Sequence, residues 1–152
     1  SNGRSPMRTI RMVATALALA LPAVAMATEP IVVHRDPGCG CCEEWAKQVK
    51  VQFKRDLRMI DDSNRARLKT RLGVPAALSS CHTAIIYGMA FEGHIPIADM
   101  KRALATRPAG VRGLAVGGMP IGSTGMEVPG MKNQSYSVVA FGPSGQKIFA
   151  RH

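Results

Sequence analysis

The chain has 152 residues, of which 46% are hydrophobic and 5% aromatic, and its 20 Lys and Arg outweigh 10 Asp and Glu to give a net charge of +10. This length and hydrophobic fraction are enough for one globular domain with its own core, so disulfides are not required for folding. The small number of aromatic residues argues against a nucleic-acid-binding surface that stacks bases. We therefore interpret the positive charge as a solvated face or as attraction to anionic membrane surfaces.

Residues 7–27 have the pattern of a secretory signal peptide. Arg8 and Arg11 give a positive start, residues 12–24 are apolar, and a small-residue sequence suited to cleavage follows. The apolar segment is shorter than the roughly 20 residues that span a bilayer, which argues against the alternative of an uncleaved membrane anchor. We therefore predict export to the periplasm and a mature domain over residues 28–152, with no stable membrane span after cleavage.

The first half of the mature domain alternates strand and helix patterns. A β-branched run bounded by prolines predicts a first strand, and apolar residues at helical spacing predict a helix directly after the cysteines. A second strand and a basic helix that ends at a glycine follow. The predicted ranges are Ile31–Arg35 and Leu57–Ile60 for the strands, and Glu43–Phe53 and Asn64–Leu72 for the helices.

The second half begins with a strand that turns at Gly88 into its neighbour. A helix then ends before Pro108, a loop rich in Gly, Pro and Met follows, and two strands close the chain as a hairpin. The predicted ranges are strands Thr83–Tyr87 and Met89–Phe91, a helix from Ile97, a loop over Gly113–Gly130, and a hairpin of Ser135–Phe141 with Gln146–Ala150.

A strand–helix–strand half followed by a hairpin and a helix, with Cys-x-x-Cys at the start of the first helix, is typical of the thioredoxin-like plan. Pro75 occupies the position where that fold usually places a cis-proline, and a trans proline that ends the preceding helix is the alternative. We therefore predict an α/β, thioredoxin-like fold with a Gly/Met-rich loop and a C-terminal β-hairpin extension.

Three of the four cysteines lie in Cys39-Gly40-Cys41-Cys42, just before the first helix. A helix N-terminus lowers the pKa of a thiol, and the thiolate is both a nucleophile and a soft-metal ligand. Cys39 and Cys42 have the spacing of a readily reduced disulfide, with Cys39 as the exposed attacking thiol. Cys41 would compete in such dithiol chemistry but adds a ligand to a metal site. The pattern therefore predicts a protein that handles soft metal, electrons, or both.

The fourth cysteine belongs to the pair Cys81-His82, directly before a strand expected to run beside the first one. Thiolate ligands select Cu(I), and an imidazole suits Cu(II) as well. Structural zinc sites usually draw on two separated Cys-x-x-Cys knuckles, so this spacing favours copper, in a cluster of several ions bridged by thiolates. The alternative is a buried cysteine beside a surface histidine.

Met119 and Met126 are further candidate ligands, because they lie in the glycine-rich loop where no core stripe is expected. Met131 lacks that setting. His34 lies in the first strand and His94 precedes a helix, and we interpret both as structural or solvent-facing.

Four motifs together resemble one family, the domain of unknown function 411 (DUF411) family of thioredoxin-like, CopG-type proteins of periplasmic copper resistance. These motifs are Cys39-Gly40-Cys41-Cys42, Ser80-Cys81-His82-Thr83-Ala84, Glu92-Gly93-His94-Ile95-Pro96, and Gly118-Met119-Pro120 with Gly125-Met126-Glu127. The resemblance covers about residues 31–150. It implies a role in copper redox cycling or handover and a copper cluster held by Cys39, Cys41, Cys42 and Cys81, with His82 and the loop methionines as candidate ligands.

We expect the mature protein to bind Cu(I) through the cysteine cluster and to buffer, transfer or redox-cycle copper, with periplasmic copper-transfer proteins as partners. The residues leave open whether it is an enzyme. A thiol–disulfide oxidoreductase that uses Cys39 and Cys42 is the alternative from a different class. A binding module stapled by zinc or disulfides is the third.

Overall fold

The computed structural model describes Gly3 and residues 29–152, so the predicted signal peptide lies outside the described residues. None of the described helices combines the length and apolar character needed to cross a bilayer. The described part is a mixed α/β fold with the element order β1 (Ile31–Arg35), α1 (Gly40–Phe53), β2 (Leu57–Asp61), α2 (Arg65–Leu72), a short 3-10 turn (Ala76–Leu78), β3 (His82–Ile86), β4 (Met89–Glu92), α3 (Ile97–Thr106), β5 (Gly113–Ala115), β6 (Ser137–Gly142) and β7 (Gly145–Arg151).

The seven strands form one sheet in the order β2-β1-β3-β4-β5-β6-β7. β1 pairs in parallel with β2 and antiparallel with β3, and this register sets Arg35 opposite His82. The end of β1, from which the chain enters the cysteine segment, therefore lies beside the start of β3. The predicted closing hairpin is present as β6 and β7, with a register irregularity at Val138 and Val139.

Helices cover both faces of the sheet. On one face, Trp45 and Val49 of α1 and Met100 of α3 are fully buried against the strands. On the other face, Leu72 of α2 packs on a smaller cluster centred on Phe141. Full burial of a large apolar side chain contributes about 1.5–3 kcal/mol, so these two layers stabilise the sheet that carries the cysteines.

The structure corrects the sequence prediction at two places that matter for the site. α1 begins at Gly40 rather than at Glu43, which puts two cysteines in its first turn. The stretch predicted as one loop from Gly113 begins with β5, which pairs with β4 and β6. Gly113 permits this close pairing, because a Cβ there would lie 2.6 Å from the Phe141 ring. The peptide bond before Pro75 is trans, as are all peptide bonds of the described residues.

Candidate metal centre

Two chain segments meet at the edge where β1 ends and β3 begins. Cys39 occupies the N-cap position of α1 with an extended backbone, and Cys41 and Cys42 follow in the first helical turn. The N–H of Asp36 donates to the carbonyl of Cys81 at 2.9 Å, which joins the end of β1 to the residue preceding β3. The pairing of β1 with β3 therefore brings the fourth cysteine to the other three, as the sequence predicted.

The four cysteine sulfur atoms lie within 4.8 Å of one another. Cys39 and Cys42 are joined in a disulfide, while Cys41 and Cys81 are free thiols. The Sγ of Cys41 is 3.4 Å from that of Cys39, and the Sγ of Cys81 is 3.4 Å from that of Cys42. Such spacing can hold a metal ion once the disulfide is reduced, since thiolate rather than disulfide sulfur is the metal ligand.

Two imidazoles extend the cluster on its buried side. The Nε2 of His94 lies 3.3 Å from the Sγ of Cys81, and the Nδ1 of His82 lies 3.6 Å from it. The Nδ1 of His94 is 2.9 Å from the carbonyl oxygen of Thr124, which can only accept, so Nδ1 carries the proton. In the neutral ring the Nε2 lone pair of His94 is therefore directed toward Cys81, as in a metal-ligating histidine oriented by its second nitrogen.

The sequence analysis interpreted His94 as structural or solvent-facing, and the structure excludes the solvent-facing alternative. It is fully buried in contact with Cys81. The pairing of β3 with β4 sets Thr83 opposite Glu92, and continuing that register by two residues brings Cys81 opposite His94. The two-residue turn at Tyr87 and Gly88 fixes this register, and the sequence analysis had already placed a turn at Gly88. Extending the register from that turn would have predicted that His94 lies beside Cys81.

Burial sets the protonation of these groups. Burial, together with the negative charge of a Cys41 thiolate, raises the pKa of the Cys81 thiol to about 12. Burial also lowers the pKa of His82 well below its ordinary value, with the charges of His94 and Arg65 acting in the same direction, and it lowers the pKa of His94. These shifts favour a protonated Cys81 thiol beside neutral imidazoles. A bound cation would favour the Cys81 thiolate.

His82 has an unusual environment for a buried polar residue. Its ring lies between Trp45, at a centroid distance of 4.3 Å, and His94, at 4.8 Å. Its Nε2 and the Nε of Arg55 are the two buried side-chain nitrogens without a hydrogen-bond partner in the described part of the chain. Leaving such a nitrogen unpaired costs about 1–3 kcal/mol, so a ligand that binds it would recover that cost.

The glycine-rich loop lies over the cysteine segment. The Sδ of Met119 is 3.8 Å from the Sγ of Cys41, so this methionine is in contact with the cluster. The loop packs against the start of α1 at Gly125, whose Cβ, if present, would lie 2.7 Å from the backbone nitrogen of Trp45. Met126 is half-buried, and its backbone N–H donates to the carbonyl of Ser123 at 2.7 Å. The structure thus brings Met119 to the sulfur cluster and fixes Met126 through its backbone.

A second buried polar network holds the Cys81 segment from the opposite face of β3. The guanidinium of Arg65 donates to Asp36, to the carbonyl of Ser80 and to the hydroxyl of Thr83. Glu92 accepts from the N–H of Ser80 at 2.7 Å and from the Thr83 hydroxyl. Burial raises the pKa of Glu92. This network fixes the backbone on either side of Cys81, which positions that thiol.

Known proteins match this chain in sequence and in structure. The sequence model of the family described as "Protein of unknown function, DUF411" matches residues 78–126. Two solved structures, "Copper resistance protein copG- Form 1" and "Copper resistance protein copG- Form 2", are each 39% identical to the chain and cover 82% of it. Their TM-scores are 0.73 and 0.72, and the matches cover 98% and 99% of those chains.

A comparison with curated proteins gave no significant match. The match to the DUF411 model spans Cys81, His82 and His94 together with the methionine loop. From the family match and the 39% identity to a solved copper resistance protein, we conclude that this chain belongs to the DUF411 family.

Proposed function

We propose that this protein binds Cu(I) in the periplasm and buffers, transfers or redox-cycles it. Its ligands in this proposal are the thiolates of Cys39, Cys41, Cys42 and Cys81, with His82, Met119 and Met126 as further candidates. The observation that carries the proposal is the approach of four cysteine sulfur atoms within 4.8 Å of one another, beside imidazoles that burial keeps neutral. The 39% identity to a protein named for copper resistance supports copper as the ion.

The donor set favours copper over zinc. Thiolates and thioethers are soft ligands that select Cu(I), whereas structural zinc sites are closed tetrahedra of four ligands. Here a thioether contacts Cys41, and two imidazoles contact Cys81, so more donors meet than one tetrahedral ion can use. Several ions bridged by shared thiolates would use them all.

The finer description of the fold and the location is also part of this proposal. A parallel β1-α1-β2 unit, followed by the antiparallel β3 and β4 and then α3, supports a thioredoxin-like core extended by β5, β6 and β7. The disulfide between Cys39 and Cys42 supports an oxidising compartment such as the periplasm, since disulfides persist there. The signal-peptide pattern of residues 7–27 supports export.

A thiol–disulfide oxidoreductase is the second candidate function, and the same disulfide favours it. A Cys39–Cys42 pair at the start of a helix can accept two electrons and two protons from a dithiol substrate, which is oxidised to a disulfide. In this alternative the partly exposed Cys39 is the sulfur that is attacked, and the buried Cys42 leaves as a thiolate. Cys41 and Cys81 would then have no chemical role.

An anaerobic titration of the reduced protein with Cu(I), against a competing chelator, tests both candidates. We expect several ions per chain and protection of all four thiols from alkylation. Cys41→Ser and Cys81→Ser should each lower the affinity by at least about tenfold because a bridging ligand is lost. Met131→Leu, at an exposed thioether, is the control and should change nothing.

The opposite result would select the oxidoreductase. It consists of no copper retention by the reduced protein, together with an insulin-reduction activity that Cys39→Ser abolishes and Cys41→Ser leaves intact. Because the two serine variants differ only in which sulfur is removed from the same loop, the pair of assays separates ligand loss from a general disturbance of the helix start.

A further inference from the structure

The soft donors of the cluster form a continuous line from the protein surface to its interior. The Sδ of Met119 is 3.8 Å from the Sγ of Cys41, which is 3.4 Å from the Sγ of Cys39. Beyond the disulfide partner Cys42, the Sγ of Cys81 follows at 3.4 Å, and the Nε2 of His94 lies 3.3 Å further on. Each step is short enough for one ion to touch two successive donors, since a metal–thiolate bond is about 2.3 Å long.

The outer end of this line is exposed and the inner end is buried. Met119 is 50% exposed, Cys41 is partly exposed, and Cys42, Cys81 and His94 are buried. Water can therefore reach the thioether end, while the imidazole end is closed to it. Met119 is therefore the donor of this line that an ion in solution can contact most readily.

The outer end is also held in place relative to the inner end. The hydroxyl of Ser80 donates to the carbonyl of Gly118 at 2.6 Å, and the N–H of Gly118 is 3.3 Å from the carbonyl of Ser79. These bonds join the residue before Met119 to the residue before Cys81. The exposed thioether is thus a fixed feature of the site.

We propose that Met119 and Cys41 form the port through which Cu(I) enters and leaves the cluster, by stepwise ligand exchange along the line of donors. This inference rests on the proposed copper-binding function and adds the route and the class of partner. The partner is a copper carrier that offers a thiol or thioether, because only a soft donor can compete with thiolates for Cu(I). At each step the ion acquires a new donor before it releases the previous one. No change of oxidation state is involved, and the protein acts with Cys39 and Cys42 reduced.

The experiment compares Met119→Leu with the control Met131→Leu, which removes a thioether that is 53% exposed, twelve residues further on. The reduced proteins are mixed with the Cu(I) complex of glutathione, and thiolate-to-copper charge-transfer absorption is followed by stopped flow. We expect Met119→Leu to load about tenfold more slowly, as the barrier to the first exchange rises. Release of copper to an excess of the chelator should slow as well, because ions leave by the same port. Met131→Leu should load and release copper at the original rates.

Three results would overturn the port. Met119→Leu could load at the original rate, it could release copper faster, which would make Met119 a ligand and not a port, or Met131→Leu could slow loading equally. In each of these the unchanged protein still binds copper, so the proposed function stands. Failure of the unchanged protein to take copper from the glutathione complex or from the chelator would instead reject the proposed function, and the port with it.

Discussion

Two clusters of buried polar groups lie on opposite faces of β3, and they differ in how well their hydrogen bonds are satisfied. Successive side chains of a strand point to opposite faces, so His82 faces α1 and Thr83 faces α2. Around Thr83, the charges of Arg65 and Glu92 are paired and hydrogen-bonded. Around His82, a buried nitrogen has no partner. The difference separates a cluster whose buried charges are satisfied within the fold from one that retains an unpaired buried donor or acceptor.

The satisfied cluster stabilises the protein as it stands. The Nη1 of Arg65 is 3.6 Å from the Oε1 of Glu92, and its Nη2 is 2.8 Å from Asp36. The N–H of Ser80 donates to Glu92, and the carbonyl of Ser80 accepts from Arg65. Buried ions with several hydrogen bonds hold their surroundings in one geometry, which here includes the backbone next to Cys81.

The unsatisfied cluster contains polar groups that burial leaves without full compensation. These are the unpaired Nε2 of His82 and the thiol of Cys81, whose pKa is raised to about 12. In the proposed function, a metal ion beside Cys81 would stabilise its thiolate and could accept the lone pair of His94 Nε2, which lies 3.3 Å from that sulfur.

The largest effect is expected from Arg65→Met. Removing the guanidinium leaves the carboxylate of Glu92 buried with only the Nζ of Lys69, 3.9 Å away, as a cation. Loss of one member of a buried pair costs about 3–5 kcal/mol in free energy of unfolding. Urea denaturation of the reduced, copper-free protein measures this loss. Arg67→Met, at an exposed position of the same helix, is the control and should stay within about 0.5 kcal/mol.

A loss below about 1 kcal/mol for Arg65→Met would contradict the comparison. The Arg65–Glu92 pair would then contribute no more to the free energy of unfolding than a surface ion pair does. Other contacts would have to hold the Cys81 segment in place.

An intermediate effect is expected from the two neighbours His82 and Thr83. Thr83→Val keeps the shape but removes the hydroxyl that bridges Arg65 and Glu92, so it should destabilise by about 1–3 kcal/mol. His82→Phe removes an unpaired nitrogen and should leave the copper-free protein as stable as before, or about 1 kcal/mol more stable. The same substitution should weaken copper binding by about tenfold if His82 is a ligand.

Urea denaturation and chelator competition on both variants give the comparison directly. Destabilisation by His82→Phe greater than that by Thr83→Val would show that the ring of His82 serves the fold, and the contrast between the faces of β3 would fail.

Local patterns were sufficient to predict most of the fold. Periodicity, caps and turn residues predicted the three helices and six of the seven strands of the described residues. β5 was missed because three residues carry no period, and its pairing with β4 and β6 is decided by residues distant in sequence. The meeting of Cys81 with the other cysteines followed from placing β3 beside β1.

The environment of the site could not be read from local patterns. To predict the position of His94, the register of β3 and β4 has to be continued past the end of the paired strands. The Arg65–Glu92 network joins side chains from α2 and β4, and a basic helix by itself indicates only a solvated face. Side-chain pairs between distant elements depend on packing angles, which local sequence does not specify.

The smallest effect is expected at Asp62, a carboxylate near the same edge of the sheet but in contact with water. The N–H of Asn64 and the Nδ1 of His34 each lie 2.9 Å from its oxygens, and these contacts lower the pKa of the carboxyl below 3.8. A depressed folded-state pKa stabilises the protein at pH values above the unfolded value, and this contribution is lost as the pH falls through the folded value. Asp62→Asn should therefore lower the urea midpoint slightly near pH 7, and the difference should vanish at about pH 2.

The asparagine oxygen can still accept from the N–H of Asn64, so what the substitution removes is the charge. Asp56→Asn, at a side chain that is 89% exposed, is the control and should show no pH-dependent difference. A difference for Asp62→Asn that persists at about pH 2 would mean that the shape of the side chain, rather than its ionisation, stabilises this turn. The contrast between the charged network at Glu92 and the carboxylate of Asp62 would then rest on hydrogen bonding and not on charge.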